Sequence, residues 1–134
     1  MKSKIEGCHW RDRVTNHPEL VDLDINWLDP RDNDQSSRAA YTAQDIHMCT
    51  QADIIFLYMG EDNPVGYNAA FECGIGLQAG AEIHSIIEPN RKGWEMVKEV
   101  STSLSYDFDD GCMLLKHTIL GTLPNYSSNC GSSA

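Results

Sequence analysis

Ala52-Asp53-Ile54-Ile55-Phe56-Leu57-Tyr58-Met59, followed by the loop Gly60-Glu61-Asp62-Asn63-Pro64 and by Val65-Gly66-Tyr67-Asn68-Ala69-Ala70-Phe71-Glu72-Cys73-Gly74-Ile75-Gly76-Leu77-Gln78-Ala79-Gly80, decides the fold of this chain. The apolar run Ile54 to Met59 has the length of a strand and lacks alternation, as a strand buried on both faces does. The residues after the loop predict a helix over 67–79, with Gly80 placed to stop it. That helix carries one acid, Glu72, near its start. Open α/β sheets place their ligand crevice beyond the carboxyl ends of the strands, and Glu72 follows such an end. The position suits chemistry better than packing.

Outward from this unit, strands and helices are expected to alternate. Residues 3–7 make a poor first strand, because Lys2, Lys4 and Glu6 interrupt it. Residues 10–19 read as a short helix stopped near Pro18. Residues 20–28 alternate apolar and polar side chains, which suits a half-exposed edge strand. Asp29-Pro30-Arg31-Asp32-Asn33-Asp34 has strong turn chemistry. Ser36 or Ser37 can cap a helix running to about Gln51, with Ala39, Ala43, Ile46 and Thr50 as its apolar face. The next strand follows at Glu82–Ile87, then a helix over 92–101 with Trp94, Val97 and Val100 inward. A last strand is expected over 102–108 and a last helix over 110–120. The order implies a flavodoxin-like or Rossmann-like three-layer α/β sandwich. Its sheet is expected to be mostly parallel, of about five strands, with the first short or truncated or completed by another subunit.

The 134 residues suffice for one domain with a real core. It is expected over 1–122, with a flexible, Ser-, Gly- and Asn-rich tail at 123–134. Twenty acids against ten bases give a net charge of −10, which argues against a nucleic-acid polymer as partner. A small substrate remains compatible where a few of Arg11, Arg13, Arg31, Arg38, Arg91 and Lys92 converge. The five cysteines, Cys8, Cys49, Cys73, Cys112 and Cys130, form no Cys-x-x-Cys pair and read as reduced thiols of a cytoplasmic protein. Residues 1–10 are polar and show no signal-peptide pattern, and no apolar run has membrane-spanning length.

Three carboxylates are candidates for chemistry. Glu72 sits among Ala69, Ala70, Phe71, Cys73 and Ile75, where an unpaired acid is costly unless used. Read alone it is an ordinary acid of a helix N-terminal turn, favoured by the macrodipole. Asp45 lies eight residues before Asp53, and its plain reading is a solvated helix acid. Asp62 in the loop is by default a turn residue, and Asp53 a structural cap. Two carboxyl groups across a crevice are what retaining glycosidic cleavage uses, one as nucleophile and one as acid. Cys8, His9, His47, Cys49, Cys73 and His84 match no zinc spacing, so neither a metal nor any other cofactor is expected. Gly74-Ile75-Gly76 lies inside a helix and is no dinucleotide fingerprint. No Gly-x-Ser-x-Gly turn is present.

The run Gln44-Asp45-Ile46 through Gln51-Ala52-Asp53-Ile54-Ile55, then Gly66-Tyr67 and Phe71-Glu72-Cys73-Gly74, resembles the nucleoside 2-deoxyribosyltransferase family, which includes 2'-deoxynucleoside 5'-monophosphate N-glycosidases. The likeness covers residues 40–88. More loosely, Lys4 to Arg11 looks like the family's first loop and helix start, and Asp29-Pro30-Arg31 like the loop after its second strand. The departures are Asn68-Ala69-Ala70, Cys73 and Ile75-Gly76, where the family has a tighter loop, Leu or Ile, and Tyr-Ala. The resemblance implies Glu72 as the nucleophile and Asp45 as the residue that protonates or holds the leaving base. It implies Asp62 at the deoxyribose and Gly7, Trp10 and Arg11 along the sugar or phosphate site. Gly66 and Tyr67 would lead into the Glu72 helix. Arg11, Ser36 and Ser85 are the candidate phosphate donors. The expected activity is deoxyribosyl transfer or hydrolysis on a nucleoside or nucleotide, by a homodimer or higher homo-oligomer. The alternatives are a non-catalytic nucleotide-binding module and a NAD glycohydrolase.

Overall fold

The computed structural model describes residues 9–64 and 66–121. The elements run α1 (Trp10–Thr15), a 3-10 turn (Pro30–Asp32), α2 (Arg38–Gln51), β1 (Ile54–Met59), α3 (Tyr67–Gln78), β2 (Glu82–Ile87), α4 (Glu95–Val100), β3 (Ser103–Ser105) and α5 (Phe108–Leu120). Strands β1, β2 and β3 pair in that order and in parallel. Ile54 stands beside Glu82 and Met59 beside Ile87; His84 stands beside Ser103.

A parallel pair needs a crossover, and the helices that provide it must cover the sheet. Side chains alternate across β1, so its uniformly apolar sequence feeds two cores. Tyr58, with Ile54 and Phe56 at the margin, joins Trp10, Val14, Leu20, Ile86, Phe108, Cys112 and Leu115 on one face. Leu57 and Met59 join Cys73, Ile83, Ile87, Trp94 and Val97 on the other. Buried polar groups on β2 are paired: His84 Nδ1 lies 2.7 Å from Ser103 Oγ, its Nε2 3.0 Å from Glu82 Oε1, and Ser85 Oγ 2.7 Å from Ser101 Oγ. These contacts make His84 a satisfied core histidine.

The helix boundaries follow local chemistry. Ser37 caps α2, accepting from the Ala40 N–H at 3.1 Å. Asp107 caps α5 through Asp110 N–H at 3.0 Å, so this helix begins two residues earlier than expected. Gly80, at φ 103°, follows α3 in the left-handed region that only glycine adopts freely. At the end of β1, a Cβ on Gly60 would stand 2.4 Å from both Glu88 and the Tyr58 hydroxyl. The absence of a side chain lets Tyr58 donate to Glu88 at 2.9 Å.

Several expectations need correction. Residues 20–28 form no strand. The alternation is real: Leu23, Ile25 and Trp27 pack on the core, while Asp22, Asp24 and Asn26 face out. The backbone is otherwise engaged, because Leu20 and Val21 donate to His17 and Leu23 donates to Leu20 in consecutive turns. Side-chain alternation reports facing, not a ladder. Among the described residues the sheet has three parallel strands; the candidate strand at 3–7 lies outside them, as does the expected tail. The first helix stops at Thr15, and the strand expected over 102–108 is only Ser103–Ser105. Val100 is exposed, although Trp94 and Val97 are buried. On α2, Ala39, Ala43 and Thr50 face solvent, while Asp45, Ile46, Met48 and Cys49 are partly covered. The helix packs chiefly against α3, which turns the polar Asp45 inward.

Two glycines separate packing from propensity. A Cβ on Gly111 would stand 2.1 Å from fully buried Ile86, whereas one on Gly74 meets nothing within 4 Å. Gly111→Ala is expected to destabilise the fold by about 1–3 kcal/mol through overpacking, despite better helix propensity. Gly74→Ala is expected to stabilise it by about 0.5–1 kcal/mol. Urea denaturation of the two variants checks the opposite signs.

Candidate functional site

A cleft of about 410 Å³ opens between α1, residues 24–30, α2 and the first half of β1, closed at one side by Leu115 and Ile119 of α5. Ile54, Ile55 and Phe56 form its apolar wall. Three charged residues from three helices line it together: Arg11 from α1, Asp45 from α2 and Glu72 from α3. Each is partly buried.

Glu72 has its pKa raised. Burial is the largest cause and the charge of Asp45 adds to it, while Arg11 opposes. Glu72 is the sixth residue of α3, beyond the first turn in which the macrodipole acts. The expectation of an ionised form favoured by the helix end is thereby corrected: tertiary surroundings dominate. Asp45 is oriented by Asn33, whose Nδ2 donates to its Oδ1 at 2.7 Å.

Arg11 is partly desolvated, and burial lowers its pKa against the opposing effect of Asp29. It stays a cation, because guanidinium does not deprotonate in proteins. Its guanidinium lies 4.5 Å over the Trp10 ring, and its Nε is 3.9 Å from Asp29 Oδ1. A clamp fixes this corner. Arg31 donates to Asp29 Oδ2 at 2.6 Å and to Asp12 Oδ1 at 2.9 Å, tying the 3-10 turn to α1. Hydrogen bonding to these two carboxylates pushes the Arg31 pKa up and theirs down.

Two thiols flank the carboxylates. Cys49 is pushed up to about 11, by burial first and then by Glu72 and Asp45. Burial likewise holds Cys73 at about 12. Both thiols are therefore held in the protonated form near neutral pH, as buried thiols are. Among the described residues, no group of three His, Cys, Asp or Glu side chains is arranged to hold a metal ion.

The structure thus brings Glu72, Asp45, Trp10 and Arg11 of the sequence-predicted set to one cleft. Asp62 is elsewhere, ion-paired with Arg13, whose guanidinium also lies 4.1 Å over Phe108. Gly66 is the N-cap of α3, against the Met59 side chain, and Tyr67 beside it is 85% exposed. Neither lines the cleft. Gly7 lies outside the described residues. Sequence reasoning missed Asn33, Cys49 and the Asp29–Arg31–Asp12 clamp. Asp29 and Asn33 were legible only as turn residues; their pairing with residues of α1 and α2 left no sequence signal.

A search among protein families, curated proteins and solved structures finds no family model, relative or structure that matches this chain.

The raised Glu72 pKa has a consequence for stability. Its ionised form is disfavoured in the folded state, a cost absent below the ordinary carboxylate pKa of about 4.3 and fully present once pH passes the folded value. Glu72→Gln is therefore expected to raise the thermal midpoint at pH 7, with the advantage vanishing below about pH 4. Midpoints of both proteins measured across that range check the sign. A glutamine variant less stable at neutral pH would show that Glu72 is a paired structural charge.

Proposed function

We propose that the chain cleaves the N-glycosidic bond of 2'-deoxynucleosides or their 5'-monophosphates by a retaining double displacement. Glu72 attacks C1' of the deoxyribose, and the C1'–N bond breaks with its electron pair leaving on the base. A proton reaches the departing nitrogen by way of Asp45, and a glycosyl ester on Glu72 results. A second base or water then attacks C1' from the face opposite Glu72, its proton passes to the Asp45 carboxylate, and the ester C1'–O bond breaks to free the Glu72 carboxylate. Acceptance by a base is transfer, and acceptance by water is hydrolysis.

One observation carries this reading: Glu72 and Asp45, from neighbouring helices, line one partly desolvated cleft together with Arg11. Arg11 supports it as the cation that opposes the burial and the Asp45 charge acting on Glu72. The local sequence likeness around Asp45 and Glu72 adds the substrate class.

The reading takes the three parallel strands as part of a flavodoxin-like sandwich of about five strands, in a cytoplasmic homo-oligomer. The exposed α3 residues Tyr67, Phe71 and Leu77 support self-association, as does the shallow apolar hollow between α2 and α3 at Thr50, Ala70 and Ile75. Among the described residues no helix is long and apolar enough to cross a membrane.

Chromatographic assay of base release, with and without a second free base, tests the chemistry. Wild type is expected to release base, and Glu72→Ala to lose at least about 10³-fold in rate while remaining folded. Undiminished release by Glu72→Ala would sink the proposal. Nucleotide binding that survives Glu72→Gln, with no release by wild type, would make the chain a binding module.

A further inference from the structure

The loop that follows Asp29 ties α1 to α2. Arg31 donates to Asp12 on α1. On α2, Gln44 Oε1 accepts the Asp34 N–H at 2.9 Å, and the next residue, Asp45, accepts from Asn33 Nδ2 at 2.7 Å. The main chain of Asn33 is held on both sides. Its N–H donates to the Pro30 carbonyl at 3.1 Å, and its own carbonyl accepts from Gln35 Nε2 at 2.9 Å. Asn33 does not line the cleft, whereas Asp45 and Met48 do. It stands behind Asp45 and acts on the cleft only through it.

A second neighbour settles which end of the Asn33 amide meets Asp45. Nδ2 also lies 2.8 Å from Met48 Sδ, one turn along α2 from Asp45. A thioether sulfur only accepts, as does an ionised carboxylate, so the amide nitrogen and not its oxygen faces both. An N–H held on one oxygen divides the two oxygens of the Asp45 carboxyl. Oδ1 accepts from Asn33, and the proton of the acid form sits on Oδ2. Without that donor the carboxyl turns about its last bond, a broad and weakly restricted torsion, and carries its proton on either oxygen. A general acid works only when its proton is within hydrogen-bond reach of the departing atom. The Asp45 charge acts on both Glu72 and Arg11, which places it close to the group that attacks.

We propose that Asn33 is a positioning residue that presents the Asp45 proton, on Oδ2, to the departing base. The inference rests on the N-glycosidic reading proposed above and adds the residue that aims its acid. As the C1'–N bond breaks, its electron pair goes to the base nitrogen, which takes the Oδ2 proton and leaves Asp45 a carboxylate. The Asn33 bond to Oδ1 persists and strengthens, because a donor to a charged acceptor holds more firmly than one to a neutral acceptor.

The test uses pairs of substrates that differ in their need for that proton: 2'-deoxyguanosine with its 7-methyl derivative, and 2'-deoxyuridine with its 5-fluoro derivative. Each is supplied as the nucleoside and as its 5'-monophosphate. The 7-methylated base is already cationic and departs neutral, and fluorine lowers the proton affinity of the departing uracil. The reading is kcat/KM for base release, which covers the steps up to that departure and not the later attack on C1'. Asn33→Leu keeps the side-chain size and removes the donor. On the pairs that wild type cleaves, this variant is expected to lose at least about fivefold more on the plain member than on the derivative. Gln44→Ala removes the neighbouring tie and keeps the amide, and is expected to keep the wild-type ratio. Equal losses on both members by Asn33→Leu, or no loss on either, overturn the inference and leave the N-glycosidic chemistry standing. A ratio changed as much by Gln44→Ala also overturns it, because anchoring of the loop then accounts for the effect. Release by wild type from no member of either pair removes the N-glycosidic reading, and this inference with it.

Discussion

The parallel pairing of Ile54–Met59 with Glu82–Ile87 is the constraint on which the rest depends. Six residues of β1 are matched one to one, and both faces of the pair need cover. Parallel strands cannot be joined by a tight hairpin, so the chain between them must cross over as a helix. That requirement creates α3 and sets it against Leu57, Met59 and Ile83 through Cys73. Glu72 is the residue before Cys73. Its place beside the cleft follows from the packing of its neighbour.

The same packing gives the cleft its electrostatics. Cys73 is buried and Glu72 is partly buried with it, so the carboxylate loses water without gaining a close ion-pair partner among the described residues. Asp45 adds a second negative charge because α2 lies on α3 and turns its polar side inward. Arg11 offsets both from across the cleft. The corner that carries Arg11 is held by the Arg31 clamp to Asp29 and Asp12, a bidentate arrangement that a lysine would not reproduce. Local rules are broken in one place, where two like charges share a desolvated site, and obeyed around it. That pattern marks functional sites more often than structural ones.

Much of this was readable along the chain. The unbroken apolar run at 54–59 and the isoleucine-rich run at 82–87 have strand length, and both are strands. Ser37 and Gly80 mark helix ends because their chemistry acts on residues within a few positions. Glu72 and Asp45 stood out as acids in apolar or patterned surroundings. The errors arose where the deciding partner is remote. Residues 20–28 alternate as a strand should, yet their amides at 20, 21 and 23 close local turns. The covered side of α2 was misassigned because the helix packs on another helix. Asp62 is a loop acid in sequence, and only the fold brings Arg13 to it, 49 residues away.

The sequence by itself determined the α/β class, the two long strands, the position of most helices, and the two carboxylates on which the proposed chemistry turns. These depend on burial periodicity and on capping, which are written within a turn or a strand length. The tertiary structure alone decided that Glu72, Asp45 and Arg11 meet, that Asp29 and Arg31 hold the corner, and that Asp62 is committed to α1. It also decided the sign of the Glu72 shift, since desolvation and the field of Asp45 come from side chains that only packing brings near. Charge interactions act through space and not along the chain, so no local pattern encodes them.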